Sequence, residues 1–292
     1  MNYVHAAQAA AGPALAEPER IEAGRGAITR AVPARAGDEV ELWLAFYHDP
    51  VYATLLPRLR GLLSADERQR ETRFHFSDDR KRYLVTRALV RSVLSRYAAM
   101  APERWRFAAN AYGRPEIDGA PADAADLRFN VSHTRGLIAM AVGRGRELGV
   151  DVEHLSLREV SQAVAERCFA GEELADLARI EPCRRQDRFF EYWTFKEAYI
   201  KARGMGLSLP LEQFSFHYPQ ADAVRLAIRP ELGDDAQRWS LWQYRPTPDY
   251  LLALCAERGH GAAAPRIRSI VPTLHERELH LPLLKSSERA AA

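Results

Sequence analysis

The chain has 292 residues, which at roughly 150 per average domain makes two compact units or one large one, enough to bury a sizeable core. Hydrophobic residues at 47% and charged ones at 27% exclude disordered, collagen-like and fibrous classes. Lys and Arg total 41 against 39 Asp and Glu, a net +2, which excludes a histone-like coat for nucleic acid and confines any basic function to a local patch.

Residues 1–36 are rich in Ala, Pro and Gly without sustained period, and a mobile extension is expected there. Order is expected from Val40, with Val40, Leu42, Leu44 and Phe46 on one face of a strand. From Asp79 to Tyr97 the four-residue spacing of Leu84 to Ala88 and Val85 to Leu89 predicts a helix with an apolar stripe and an arginine-rich remainder. After a loop marked by Gly113 and Gly119, strands are predicted at Leu127–His133, Leu137–Val142 and Leu148–Val152, the last two joined as a hairpin through Gly143-Arg144-Gly145-Arg146. A helical region follows from about Glu159 to Ala202, broken near Gly171 and Pro182 and stopped by Gly204. Strands are then predicted at Phe214–Tyr218, Val224–Ile228, Trp239–Tyr244 and Tyr250–Cys255.

This order gives an α+β protein of two similar halves, 37–148 and 149–257, with a tail at 258–292 that wraps over the body or stays loose. No window reaches the ~18 uninterrupted apolar residues of a membrane span, and the opening residues lack a basic stretch followed by an apolar run, so a cytoplasmic protein with no membrane partner is expected. Cys168, Cys183 and Cys255 form no C-x-x-C pair, and the nine histidines have no metal-binding spacing, which leaves carboxylate oxygen as the dominant metal ligand.

Four groups could carry chemistry. In Gly149-Val150-Asp151-Val152-Glu153, strand alternation puts Asp151 and Glu153 on one face, where a divalent cation would hold both ionised; the same pattern also occurs where a strand end lies in water. In Trp193-Thr194-Phe195-Lys196-Glu197-Ala198-Tyr199-Ile200-Lys201, Trp193, Glu197 and Lys201 line one side of a helix, as a reactive set or as a plain surface ion pair of Glu197 with Lys201. Residues 65–96 carry nine basic side chains against five acidic ones, a net +4 suited to phosphate, or simply a solvated helix face. Asn130-Val131-Ser132-His133 ends a strand with polar groups, of which His133 could meet a phosphate or be an ordinary satisfied histidine.

Taken together, Phe129–His133, Gly149–Glu153, Phe190–Ala202 and Gly204-Met205-Gly206-Leu207 closely resemble the 4′-phosphopantetheinyl transferases of the surfactin-synthetase-activating type, over roughly residues 40–256. The resemblance implies two pseudo-twofold-related α+β subdomains with the active site in the cleft between them. It implies that the phosphopantetheine arm of coenzyme A passes to a serine of an apo acyl or peptidyl carrier protein, releasing adenosine 3′,5′-bisphosphate. By matching motifs, Asp151, Glu153 and Glu197 would hold Mg²⁺ or Mn²⁺. Glu197, directly or through a water, would take the serine proton, and Lys201 would stabilise charge on the phosphates. Ser132, His133, Arg114, Arg70, Arg82 and Lys196 would join Lys201 in binding coenzyme A, while Trp193 packs to fix the helix. A sufficient monomer is expected, with no nucleic-acid partner. The alternatives are another Mg²⁺-dependent phosphotransferase or phosphohydrolase, and a nucleic-acid-binding protein using the arginine-rich helix.

Overall fold

The computed structural model describes residues 39–157, 160–259 and 264–288; the extension expected at 1–36 and the start of the helical region at Glu159 lie outside them. The first half opens with β1 (Glu41–Phe46), then α1 (Tyr52–Gly61), α2 (Ala65–Glu71) and α3 (Ser77–Leu94). A small ribbon of β2 (Arg106–Ala109) and β3 (Pro115–Asp118) leads into β4 (Leu127–Thr134) and β5 (Leu137–Arg144). The second half runs through β6 (Leu148–His154), α4 (Gln162–Cys168), α5 (Gly171–Arg179) and α6 (Pro182–Arg203). A ribbon of β7 (Phe214–His217) and β8 (Arg225–Ile228) follows, then β9 (Trp239–Tyr244) and β10 (Tyr250–Glu257). Finally come β11 (Arg266–Val271), β12 (His275–Leu279) and β13 (Leu283–Ser286).

Two sheets result, one ordered β12-β11-β1-β5-β4 and the other β13-β9-β10-β6. Period-2 alternation sorts their side chains into three cores. Leu42 and Leu44 of β1 and Leu137, Ala139 and Ala141 of β5 face Leu148, Val150 and Val152 of β6 and Leu252 and Leu254 of β10 between the sheets. The opposite faces are closed by helices. Trp43, Ile138 and Met140 receive the Leu84, Val85, Ala88 and Leu89 stripe of α3. Leu251, Ala253 and Cys255 receive Phe195, Ala198, Tyr199 and Ala202 of α6. Each half is therefore a sheet backed by one long helix, the α+β arrangement expected. Among the described residues no helix is long and apolar enough to cross a membrane.

The breaks expected in the helical region fall at α5 and α6, with Pro182 in the first turn of α6 and Gly204 capping its end at φ 66°. The hairpin expected across Gly143–Arg146 does not form: β5 pairs with β1 and β4, and β6 pairs with β10. Its glycine at positive φ, Gly145 at 58°, instead turns the chain from one sheet to the other. Two apolar strands joined by a short glycine loop satisfy a hairpin and a crossover equally, and burial between the sheets decides for the crossover. Beyond residue 258 the chain adds β11 beside β1 in parallel, β12 at its outer edge, and β13 beside β9 in the other sheet.

Candidate active site

Gly149, Asp151 and Glu153 share the face of β6 that meets α6. A Cβ on Gly149 would lie 2.1 Å from the Ala198 carbonyl oxygen and 2.3 Å from the Ala202 nitrogen, so only glycine lets the helix settle this close. Two residues on, Asp151 Oδ1 accepts from Lys201 Nζ at 2.6 Å. Two further, Glu153 Oε1 accepts from Trp193 Nε1 at 3.0 Å. The helix thus runs antiparallel to the strand, and Glu197, one turn from each of Trp193 and Lys201, comes between these two contacts along the helix.

Electrostatics bind this group together. Burial raises the proton affinity of Glu197; Lys201 opposes that and Asp151 adds to it, leaving the pKa above the usual carboxylate range. Burial would lower the pKa of Lys201, but Asp151, Glu197 and Glu153 together raise it, so the ammonium stays charged. Three acids therefore act on one ammonium. Among the described residues no three His, Cys, Asp or Glu side chains stand assembled to hold a metal ion. Asp151 is 4% exposed, and its second oxygen, Oδ2, is buried with no hydrogen-bond partner.

The site is also a seam between the halves. The open edge of β6 presents the amides of Val150 and Val152, which donate to Asn130 Oδ1 at 3.0 Å and Ser132 Oγ at 3.4 Å. Two side chains of β4 stand in for the carbonyls of a missing strand and close that edge. Ser132 Oγ also donates to Asp151 Oδ1 at 2.9 Å and accepts from Lys201 Nζ at 3.0 Å. The structural role of Asn130 escaped sequence reasoning. Its signal was Asn130 and Ser132, polar residues two apart and so on one face of a predicted strand.

The basic residues divide. Arg114 Nη1 donates to Glu147 Oε2 at 2.8 Å and to the Ala202 carbonyl at 3.2 Å, tying the end of the first small ribbon to the last turn of α6. Arg82 pairs with Asp79 at 2.6 Å, Arg70 is exposed on α2, and His133 is exposed at the end of β4. Much of the cationic face is spent internally, with Arg87 and Arg91 on Glu67 and Arg96 on Glu276.

Lys196 departs from its expected role as a phosphate contact. It is 0% exposed, and its ammonium bonds Glu173 Oε2 at 2.9 Å and the carbonyls of Leu211 at 2.7 Å and Phe214 at 2.9 Å. Three donors meet three acceptors, leaving none for a ligand. On the same helix Lys201 faces the seam, whereas Lys196 faces α5 and β7.

Residues 147–255 match the family model described as the 4′-phosphopantetheinyl transferase superfamily, and residues 49–144 match that described as 4′-phosphopantetheinyl transferase, N-terminal. The 4′-phosphopantetheinyl transferase HetI of Nostoc sp. is 33% identical over 224 residues, 77% of this chain and 90% of that one. The 4′-phosphopantetheinyl transferase Sfp of Bacillus subtilis is 33% identical over 199 residues, 68% of this chain and 84% of that one. The crystal structure of Thermotoga maritima holo-[acyl-carrier-protein] synthase aligns with 38% of this chain and 62% of its own at 20% identity and a TM-score of 0.32.

Proposed function

The chain belongs to the 4′-phosphopantetheinyl transferase superfamily, and we propose that it moves the phosphopantetheine arm of coenzyme A onto a serine of an apo acyl or peptidyl carrier protein. The serine oxygen forms a bond to the pantetheine-side phosphorus, the bridging P–O bond of the pyrophosphate breaks, and adenosine 3′,5′-bisphosphate leaves. The observation that carries this reading is the meeting of β6 and α6 at the seam, where Lys201 Nζ lies 2.6 Å from Asp151 Oδ1 and Trp193 Nε1 lies 3.0 Å from Glu153 Oε1, with Glu197 between those two contacts along the helix.

Phosphoryl transfer asks mainly for alignment and for cations against developing charge. Asp151, Glu153 and Glu197 offer only carboxylate oxygens, which suit Mg²⁺ or Mn²⁺, and the unpartnered Asp151 Oδ2 is a buried acceptor of the kind such an ion satisfies. When bound, that ion would neutralise charge on the pyrophosphate. Glu197, with its proton affinity raised by burial, is the base for the serine hydroxyl. Lys201, charged and half-buried, serves the phosphate oxygens.

Ser132, His133, Arg70, Arg82 and Arg114 are assigned to coenzyme A, Arg114 from its place on the Ala202 carbonyl at the end of α6. The protein is read as a cytoplasmic monomer that binds no nucleic acid, in keeping with the internal pairing of Arg87, Arg91 and Arg96.

The test is to mix the protein with an apo carrier protein, coenzyme A and Mg²⁺ and weigh the carrier by mass spectrometry. A gain of one phosphopantetheine group is expected, abolished by EDTA and restored by Mg²⁺. No gain with several carriers would defeat the transferase reading, and activity indifferent to chelation would remove the metal from it.

A further inference from the structure

The outer strand of the first sheet, β4, has β5 as its neighbour and carries Ser132 and His133 to the seam. A strand held on one side has to be fixed by further contacts if two of its residues are to meet a ligand in set positions. Asn130 and Ser132 supply two, on the amides of Val150 and Val152. A third lies at the turn where β4 passes into β5, and the proposed chemistry gives it no role. There Tyr250, the first residue of β10 in the second half, donates its hydroxyl to the Arg135 carbonyl of the first half at 3.0 Å.

The surroundings of Tyr250 favour this bond. Its ring packs edge-on against Phe46 of β1, with centroids 6.3 Å apart, and against His154 of β6 at 4.9 Å, one from each half. The next residue of the turn is Gly136 at φ 86°, where a Cβ would stand 2.2 Å from the hydroxyl oxygen, so glycine both makes the turn and admits the tyrosine. Burial, with Asp249 beside it, pushes the hydroxyl up to about 12, so it keeps its proton and donates. The Gly136 carbonyl accepts from the Tyr47 amide at 3.0 Å. The Tyr47 hydroxyl and His48 Nε2 reach the two oxygens of Asp78, at 3.1 and 2.8 Å, in the first turn of α3. Arg82 stands one helical turn further along. Both carbonyls of the turn are therefore held, one from each half, and the same contacts run from the end of β4 to the helix that carries Arg82.

We propose that Tyr250 is a positioning residue for coenzyme A: from the second half it fixes the β4–β5 turn, and so sets where Ser132 and His133 stand relative to Asp151 and Lys201. The proposal rests on the functional reading above, because that reading assigns Ser132 and His133 to coenzyme A. Leu251 and Ala253 turn toward α6, so Tyr250 points to the opposite face of the sheet from Asp151 and acts through the turn. A wall of the cleft that is ordered beforehand need not be ordered by the ligand, a gain that shows as affinity rather than rate.

Tyr250→Phe keeps the ring and removes only the hydroxyl. Coenzyme A binding is measured by isothermal titration calorimetry on the full-length protein with Mg²⁺, beside transfer kinetics with an apo carrier protein. The variant is expected to bind coenzyme A about fivefold more weakly than wild type, the worth of one net hydrogen bond, with KM raised to match and kcat close to wild type. Gly136→Ala, which displaces the same hydroxyl, should weaken binding in the same direction. Tyr52→Phe is the control. It removes a tyrosine hydroxyl from another backbone carbonyl, that of Ile270 at 3.4 Å where α1 meets β11, and should leave coenzyme A affinity at the wild-type value.

If Tyr250→Phe binds coenzyme A as tightly as wild type, loses no more affinity than Tyr52→Phe, or lowers kcat with KM unchanged, the positioning role is overturned while the transferase reading stands. If the wild type itself binds no coenzyme A, the assignment of Ser132 and His133 falls and the positioning role falls with it.

Discussion

Trp193 donates its indole N–H to Glu153 Oε1 across 3.0 Å, joining the helix that carries Glu197 and Lys201 to the outer acid of β6. The same ring stacks on Phe189, with centroids 6.2 Å apart, so packing orients the indole and the indole orients the carboxylate. Trp193 therefore does more than fix the helix.

Replacing Trp193 with Phe keeps an aromatic ring and removes the donor. The expected cost in stability is about 1 kcal/mol, the net worth of one hydrogen bond. On the proposed role of Glu153 as a metal ligand, loss of the group that orients it should cost more at the site, on the order of 10–100-fold in metal affinity or rate. Thermal melts set beside Mn²⁺ titration separate the two effects. Wild-type titration in Trp193→Phe would mean that Glu153 holds its orientation unaided.

Gly149→Ala tests the approach of α6 to β6. The added methyl would meet the Ala198 carbonyl oxygen at 2.1 Å, a backbone atom that can move only with the helix. Overpacking of this kind costs about 1–3 kcal/mol, and here it also displaces Glu197 and Lys201 from Asp151. Both melting temperature and transfer rate should fall. Gly171→Ala is the control, since a Cβ there meets nothing within 4 Å, and it should leave both unchanged.

Lys196→Met separates an anchor from a phosphate contact. It strands Glu173, which is 0% exposed, without its counter-charge, and a loss of about 3–5 kcal/mol is expected from breaking a buried pair. The double variant Glu173→Gln with Lys196→Met removes both charges and should regain part of that loss. Should Lys196→Met melt like wild type yet raise the KM for coenzyme A, the anchoring role is wrong.

Glu197→Ala should reduce transfer by about 10²–10⁴-fold, the usual contribution of a positioned base, with circular dichroism unchanged. Wild-type rates in this variant would refute its assignment as the base.

Acid stability should depend on Glu67. Burial alone would raise its pKa, but Arg87 and Arg91 and the Ser64 amide hold it below the usual carboxylate range. A carboxylate with a depressed folded-state pKa contributes stability that is complete above its unfolded value, roughly pH 4.3, and is lost as pH falls through the folded value. Urea melts taken at falling pH should show a decline that begins near that point, and Glu67→Gln should flatten it. An equally steep acid limb in the variant would assign the decline to other groups.

Periodicity and punctuation were legible along the chain. The two-residue spacing of Gly149, Asp151 and Glu153 and the four-residue spacing of Trp193, Glu197 and Lys201 set which side chains share a face. Gly171, Pro182 and Gly204 marked the helix breaks because their backbone restrictions are local. Family resemblance drew the separate motifs into one site.

Only the tertiary structure decided what each face meets. Gly143–Arg146 reads as a hairpin until β10 is seen to be the partner of β6, and β11 pairs with a β1 more than 200 residues earlier. Lys196 and Lys201, five positions apart, carry the same charge, yet Glu173 buries one and Asp151 keeps the other at the seam. Spacing along a chain fixes direction because the backbone has a set rise and twist. A charge's fate depends on distance through space and on access to water, and both follow from contacts between segments remote in sequence.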